Sequence, residues 1–166
     1  AWSTTRSVDR VAILSLPVGE RLLVQTSGPH SANDSHWYLT QVMAYDRHGD
    51  QFRSLFAQTV GSNNNQEIRL LERGPLAGDI VIAEPTSNAP FGYWITVESP
   101  TSTTYRPNLH YRSATHYGDG NQLSVIDAEM PNILRRLGKP HSLPVASSPC
   151  PNPHLHNGAP WCTNSE

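Results

Sequence analysis

The stretch Gly78–Val97, GDIVIAEPTSNAPFGYWITV, limits the fold more than any other part of the chain. It contains two strand-like runs. Asp79–Ala83 is short and apolar. Phe91–Val97 is aromatic and β-branched, the composition of a half-buried strand. Between them, Glu84–Pro90 packs two prolines and three small polar residues into seven positions. Proline presets its own φ and donates nothing to a ladder, so this segment is a turn and not more sheet. The stretch therefore reads as a hairpin at the centre of a β-sandwich.

The rest of the N-terminal part supplies strands to go with it. Val8–Leu16 and Glu20–Thr26 are apolar runs either side of the turn Pro17-Val18-Gly19. Trp37–Asp46 is the longest strand, and its two alternating sets are both apolar enough to face a core. Arg47-His48-Gly49-Asp50 is a tight turn in which Gly49 is expected to take positive φ. Gln51–Thr59 returns as a strand. Gln66–Glu72 alternates Ile68 and Leu70 against charges, which gives it one solvated face. With the hairpin this makes seven strands by residue 98, the spacing of an all-β antiparallel sandwich with a jelly-roll-like arrangement.

The character changes after Pro100. Residues 1–99 are expected to form the sandwich, and residues 100–166 an irregular extension that wraps it. Thr101–Thr104 reads as a linker. Tyr105–Gly120 is rich in tyrosine, histidine, arginine and turn residues. Asn121–Ile126 suits an added strand. Asp127 looks like an N-cap for one short helix, Ala128–Leu137, ended by Gly138 and Pro140.

Composition excludes some partners and favours a compartment. Net charge is −2, so no basic stripe for nucleic acid is present. No apolar run reaches the roughly 18 residues of a membrane span. The chain opens Ala1-Trp2-Ser3, which fits a mature N-terminus after signal-peptide cleavage. Cys150 and Cys162 enclose a proline-rich segment and read as a disulfide. Closing a loop of that size removes roughly 3 kcal/mol of unfolded-state entropy. A secreted or periplasmic protein is the expectation. Asn33-Asp34-Ser35 is a glycosylation sequon, which marks a surface loop where the source glycosylates.

The order of pieces in Gly19–Ser99 resembles the small calcium-dependent, galactose-binding bacterial lectins. A glycine-acid pair opens an apolar strand, here Gly19-Glu20-Arg21-Leu22-Leu23-Val24. A late strand, Gly78-Asp79-Ile80-Val81-Ile82, runs into a polar loop, and an aromatic strand closes the domain. The resemblance implies a compact jelly roll and a calcium loop. Glu84, Thr86 and Asn88 stand roughly where that loop carries its ligands. The family's paired asparagines have no counterpart here, and calcium takes six to eight oxygens.

Three groups of residues suggest chemistry. In the hairpin, Glu84, Thr86, Asn88, Tyr93 and Trp94 combine flat aromatic faces with planar hydrogen-bonding groups, the pairing a sugar needs. Neighbours on a strand point to opposite faces, so one of Tyr93 and Trp94 is expected in the core. In the extension, His110, His116 and Asp119 offer a general-base or metal cluster. In the cysteine loop, His154 and His156 share a face if the chain is extended. Metal candidates are thus Glu84, Asn88, His154 and His156. No nucleophile elbow and no phosphate-binding glycine loop occurs.

The leading expectation is a non-catalytic, lectin-like protein that binds a carbohydrate or glycoconjugate. A secreted hydrolase built on His110, His116 and Asp119 is the alternative. An effector or toxin that binds a host protein is a third.

Overall fold

In the computed structural model, residues 6–29, 37–61, 66–113 and 125–139 are described in full, and 36, 153–156 and 159–162 as backbone alone. Two antiparallel four-stranded sheets carry the fold. The first has the order β1 (Ser7–Leu16), β2 (Gly19–Pro29), β3 (His36–Asp46), β4 (Gln51–Gly61). The second has the order β5 (Glu67–Leu70), β6 (Ile80–Pro85), β7 (Tyr93–Pro100), β8 (Tyr105–Arg112). The helix α1 spans Val125–Arg136, and β9 (Pro153–His156) pairs with β10 (Ala159–Cys162) as a separate hairpin. The antiparallel sandwich expected from the strand pattern is thus present. Its connectivity is a pair of meanders, where a jelly roll would exchange strands between sheets.

Period-two patterning explains the first sheet. Leu16, Leu23, Val42, Phe56 and Val60 are buried and meet Ile68, Leu70, Ile80, Ile82 and Tyr105 of the second sheet in one core. Phe56 and Tyr105 make an edge-to-face contact with centroids 5.9 Å apart. The outer face of the first sheet stays in solvent, with Val11 61 % and Ile13 73 % exposed.

The centre of the second sheet has no such free face. Ile80, Val81, Ile82 and Ala83 are consecutive and all buried, so β6 is covered on both sides. The second cover is α1. Ile126, Ile133 and Leu134 pack on Val81, Ala83, Ile95, Val97 and Tyr93. Each large apolar side chain buried this way is worth about 1.5–3 kcal/mol.

Polar contacts place the helix. Glu129 is fully buried and accepts hydrogen bonds from the Tyr111 hydroxyl (2.7 Å), the Ser113 hydroxyl (2.6 Å) and the Asn132 amide (3.2 Å). Three donors offset the cost of burying a carboxyl group. At the helix start, the Ile126 amide donates to the Glu67 carboxylate at 3.4 Å, and Arg69 bridges Glu67 and Asp127. The end is a Schellman motif. Gly138 takes φ 62°, its amide reaches the Arg135 carbonyl at 3.2 Å, and the Lys139 amide reaches the Leu134 carbonyl at 2.9 Å.

Several details differ from the sequence reading. Tyr105–Arg112 is a strand, although Pro107 stands in it; β8 is an edge, where proline is tolerated. The helix begins at Val125, so Val125 and Ile126 are not strand and Asp127 lies in the first turn instead of capping it. Pro131 consequently stands inside the helix. In the β3–β4 turn the positive φ falls on Asp50, at 47°, and not on Gly49. Aspartate is among the residues that tolerate this region, and the Asp46 carboxylate accepts the His48 amide at 3.0 Å within the same turn. The sequon Asn33–Ser35 and Cys150 lie outside the described residues. No helix among the described residues is long and apolar enough to cross a membrane.

Replacing Ile133, which is fully buried, by alanine is expected to cost about 2–5 kcal/mol. Ile13→Ser on the open face is expected to change stability by less than about 0.5 kcal/mol. Urea denaturation of both variants checks whether α1 is a true second cover.

Candidate functional site

The site forms where the first sheet runs out. On β4, an edge strand, the Gln58 amide donates to Glu84 on β6 at 3.0 Å. Strands β7 and β8 lie one and two places further along the second sheet. At the Trp94 end their residues facing the first sheet overhang its edge, whereas at the other end Tyr105 of β8 still packs on Phe56. Register puts these residues in two rows. Glu84, Trp94 and Arg112 are cross-strand neighbours, and so are Ile82, Thr96 and His110.

Trp94 and His110 sit diagonally across β7 and β8, and their rings stack. The centroids are 4.9 Å apart and the planes differ by 10°. The Thr96 hydroxyl fixes the imidazole through a 2.9 Å contact to Nδ1. Trp94 remains 39 % exposed, an uncommon state for so large a ring in a sheet. The result is a flat two-ring platform open to solvent.

Charged and polar groups flank it. Glu84 stands on one side of Trp94 and Arg112 on the other. Across two strand spacings this is roughly 10 Å. The Arg112 guanidinium donates to the carbonyls of Asn88 (3.4 Å) and Pro90 through one nitrogen. That contact pins the β6–β7 loop to β8. The loop is also closed on itself: the Thr86 amide meets the Gly92 carbonyl at 2.8 Å, and the Thr86 hydroxyl accepts the Gly92 amide at 2.9 Å. At Gly92 an added Cβ would stand 3.1 Å from the Ser113 carbonyl, so the absence of a side chain lets the loop base approach β8.

The five residues expected to bind a ligand separate accordingly. Glu84 and Trp94 face the platform. Tyr93 does not: it is 7 % exposed and packs under α1. Strand alternation forces this, because Trp94 faces the other way. Thr86 holds the loop, and Asn88 is exposed at its tip with its carbonyl committed to Arg112. Four contributors were not singled out for this site from the sequence: Gln58, Thr96, Arg112 and His110 as a stacking partner. For the last three the signal was the register of β7 and β8, which is hidden by Pro107; Gln58 comes from β4 and reaches the site only through the tertiary fold.

His116 and Asp119 lie outside the described residues. His154 and His156 lie on β9, whose side chains are not described, and the same holds for Cys162. Among the described residues no group of three His, Cys, Asp or Glu side chains converges as a metal site.

Burial shifts two carboxyl groups at the other end of the β6–β7 pairing, where Ile80 faces Glu98. Glu98, on the Trp94 side of β7, is raised above its ordinary value of 4.5 by desolvation. Asp79 is raised by desolvation too, against the lowering effects of Ser99 and Lys139. The Tyr105 phenol, its hydroxyl buried and without a hydrogen-bond partner among the described residues, is pushed up to about 12 by desolvation.

No family model matches the chain, and no curated protein or solved structure matches it.

A carboxyl group whose folded value is raised holds its proton more tightly when folded. The folded state therefore loses stability as pH rises from about 4.5 through the raised value. Glu98→Gln is expected to melt higher than wild type at neutral pH and to flatten the fall in Tm between pH 4.5 and neutrality. Thermal melts followed by circular dichroism check this, and an unchanged pH profile would exclude Glu98 as a source of strain.

Proposed function

We propose that this chain is a secreted, non-catalytic, carbohydrate-binding protein that takes a sugar on the Trp94–His110 platform. The observation that carries the reading is the parallel stack of an exposed tryptophan on a histidine. The apolar C–H face of a sugar ring can extend such a stack. Its hydroxyls need planar partners at the rim. Glu84 supplies a carboxylate, held by Gln58, and Arg112 supplies guanidinium donors beyond the nitrogen that anchors the loop. The roughly 10 Å between these two groups suits one ring with its substituents. The likeness to galactose-binding lectins stands on the sequence pattern alone and adds no choice of sugar. Secretion is supported by the two cysteines, and the Cys150–Cys162 disulfide is part of the proposal.

Purified protein on a broad glycan array, with calcium and again with EDTA, tests the reading. Trp94→Ala is expected to lower affinity for the bound glycan by roughly ten- to a hundredfold, the ~1.4–2.8 kcal/mol of a lost anchor, with an unchanged circular dichroism spectrum. Wild-type binding in that variant moves the site elsewhere, and no glycan bound by wild type removes the carbohydrate reading. Loss with EDTA places a metal in the interaction. Persistence excludes one. An intact mass with two free thiols in the native protein removes the disulfide.

A further inference from the structure

The inner face of the first sheet holds a second anomaly. Ala12, Leu23, Val42 and Phe56 form one cross-strand row of apolar residues. The next inward row is Arg10, Gln25, Thr40 and Gln58, polar in every member. A sandwich built only for packing would continue the apolar row. Gln25 gains little in exchange: its amide reaches the Thr40 hydroxyl at 3.5 Å, the limit of a hydrogen bond.

At the β1 end of this row the sheets leave a cleft of about 540 Å³ that opens to solvent. Small-molecule sites span roughly 300–1,000 Å³. Its two walls are β1–β2 and β5. Leu23, Ile68 and Leu70, all buried, contribute apolar surface. Arg10 and Gln25 line it from the first sheet and Arg73 from the chain beyond β5. A 2.7 Å ion pair to Glu72 holds Arg10 across the seam. Arg69 is engaged by Glu67 and Asp127. Arg73 is exposed and makes no ion pair among the described residues. The lining carries three arginines against Glu67 and Glu72, and Asp127 on Arg69 balances the third charge, so what distinguishes Arg73 is that its guanidinium is exposed and outside these ion pairs.

We infer that this cleft is a second ligand site, separate from the Trp94 platform, and that it takes a small organic anion with an apolar body and one acidic group. The body lies on Leu23, Ile68 and Leu70. The acidic group meets Arg73 and the outer edge of the Arg10 guanidinium, which Glu72 holds in place. A guanidinium offers several donors in one plane and suits a carboxylate, sulfonate or phosphate. Gln25 adds a neutral polar partner.

The probe is 1-anilinonaphthalene-8-sulfonate, followed by fluorescence in the folded protein with near-ultraviolet circular dichroism as the control for native packing. Its comparator is N-phenyl-1-naphthylamine, the same aromatic body without the sulfonate. Saturable binding at one site is expected, with roughly tenfold weakening in Arg73→Gln and in Arg10→Gln and at least about tenfold weaker binding of the neutral comparator. Arg73→Gln is the decisive variant, since Arg73 supports no described contact that folding needs. Ile13→Ser on the outer sheet face and Trp94→Ala on the platform are expected to leave the affinity unchanged. The inference is overturned if wild type shows no saturable binding, if Arg73→Gln binds as wild type, if the neutral comparator binds equally, or if the signal follows Ile13 or Trp94.

Discussion

The burial of β6 on both faces governs this molecule. Four consecutive apolar residues, Ile80–Ala83, cannot face water on either side, so the second sheet needs two covers. The first sheet is one. The helix is the other, and much of the polar chemistry beyond residue 99 fixes it in place. Glu129 is hydrogen-bonded to Tyr111 near the end of β8 and to Ser113 just beyond it, and Arg69 holds Glu67 and Asp127 at the helix start. The architecture is accordingly three layers, with the most apolar strand in the middle.

The sequence made most of the sandwich legible because its strands obey simple patterns. Seven runs with strand composition appear as β1 to β7, shifted by a few residues at their ends. The hairpin Ile80–Pro100 was recognisable from composition and two prolines alone. β8 was not, because proline argues against a strand unless its edge position is known, and edge position is a tertiary fact. The helix start was hidden for a related reason. Asp127 has the chemistry of a cap, but the cap is supplied from β5 by Glu67, far away in sequence.

The candidate site was half legible. Alternation announced that Tyr93 and Trp94 must part, and the core under α1 decides which one goes in. Glu84 and Trp94 were found because they belong to the same hairpin. Gln58 and His110 come from other strands, and only the register and the limited width of the first sheet bring them alongside. Inner-face composition tracks coverage: apolar residues stand where the opposite sheet reaches, and polar or aromatic ones stand at both seams.

The overhang of β7 and β8 has a consequence for how this surface can change. Their far face is cemented to the helix through Ile95, Val97 and Tyr111, while their near face is packed on the first sheet at Tyr105 and left uncovered at Trp94 and His110. Helix packing and the exposed ring stack thus lie on opposite sides of the same two strands. A new side chain at position 94, 96, 110 or 112 meets solvent instead of a packed neighbour across the sandwich. On the proposal that the platform takes a ligand, single replacements at Trp94 or His110 change what it offers while the scaffold behind stays constant, whereas Arg112 also ties the β6–β7 loop to β8.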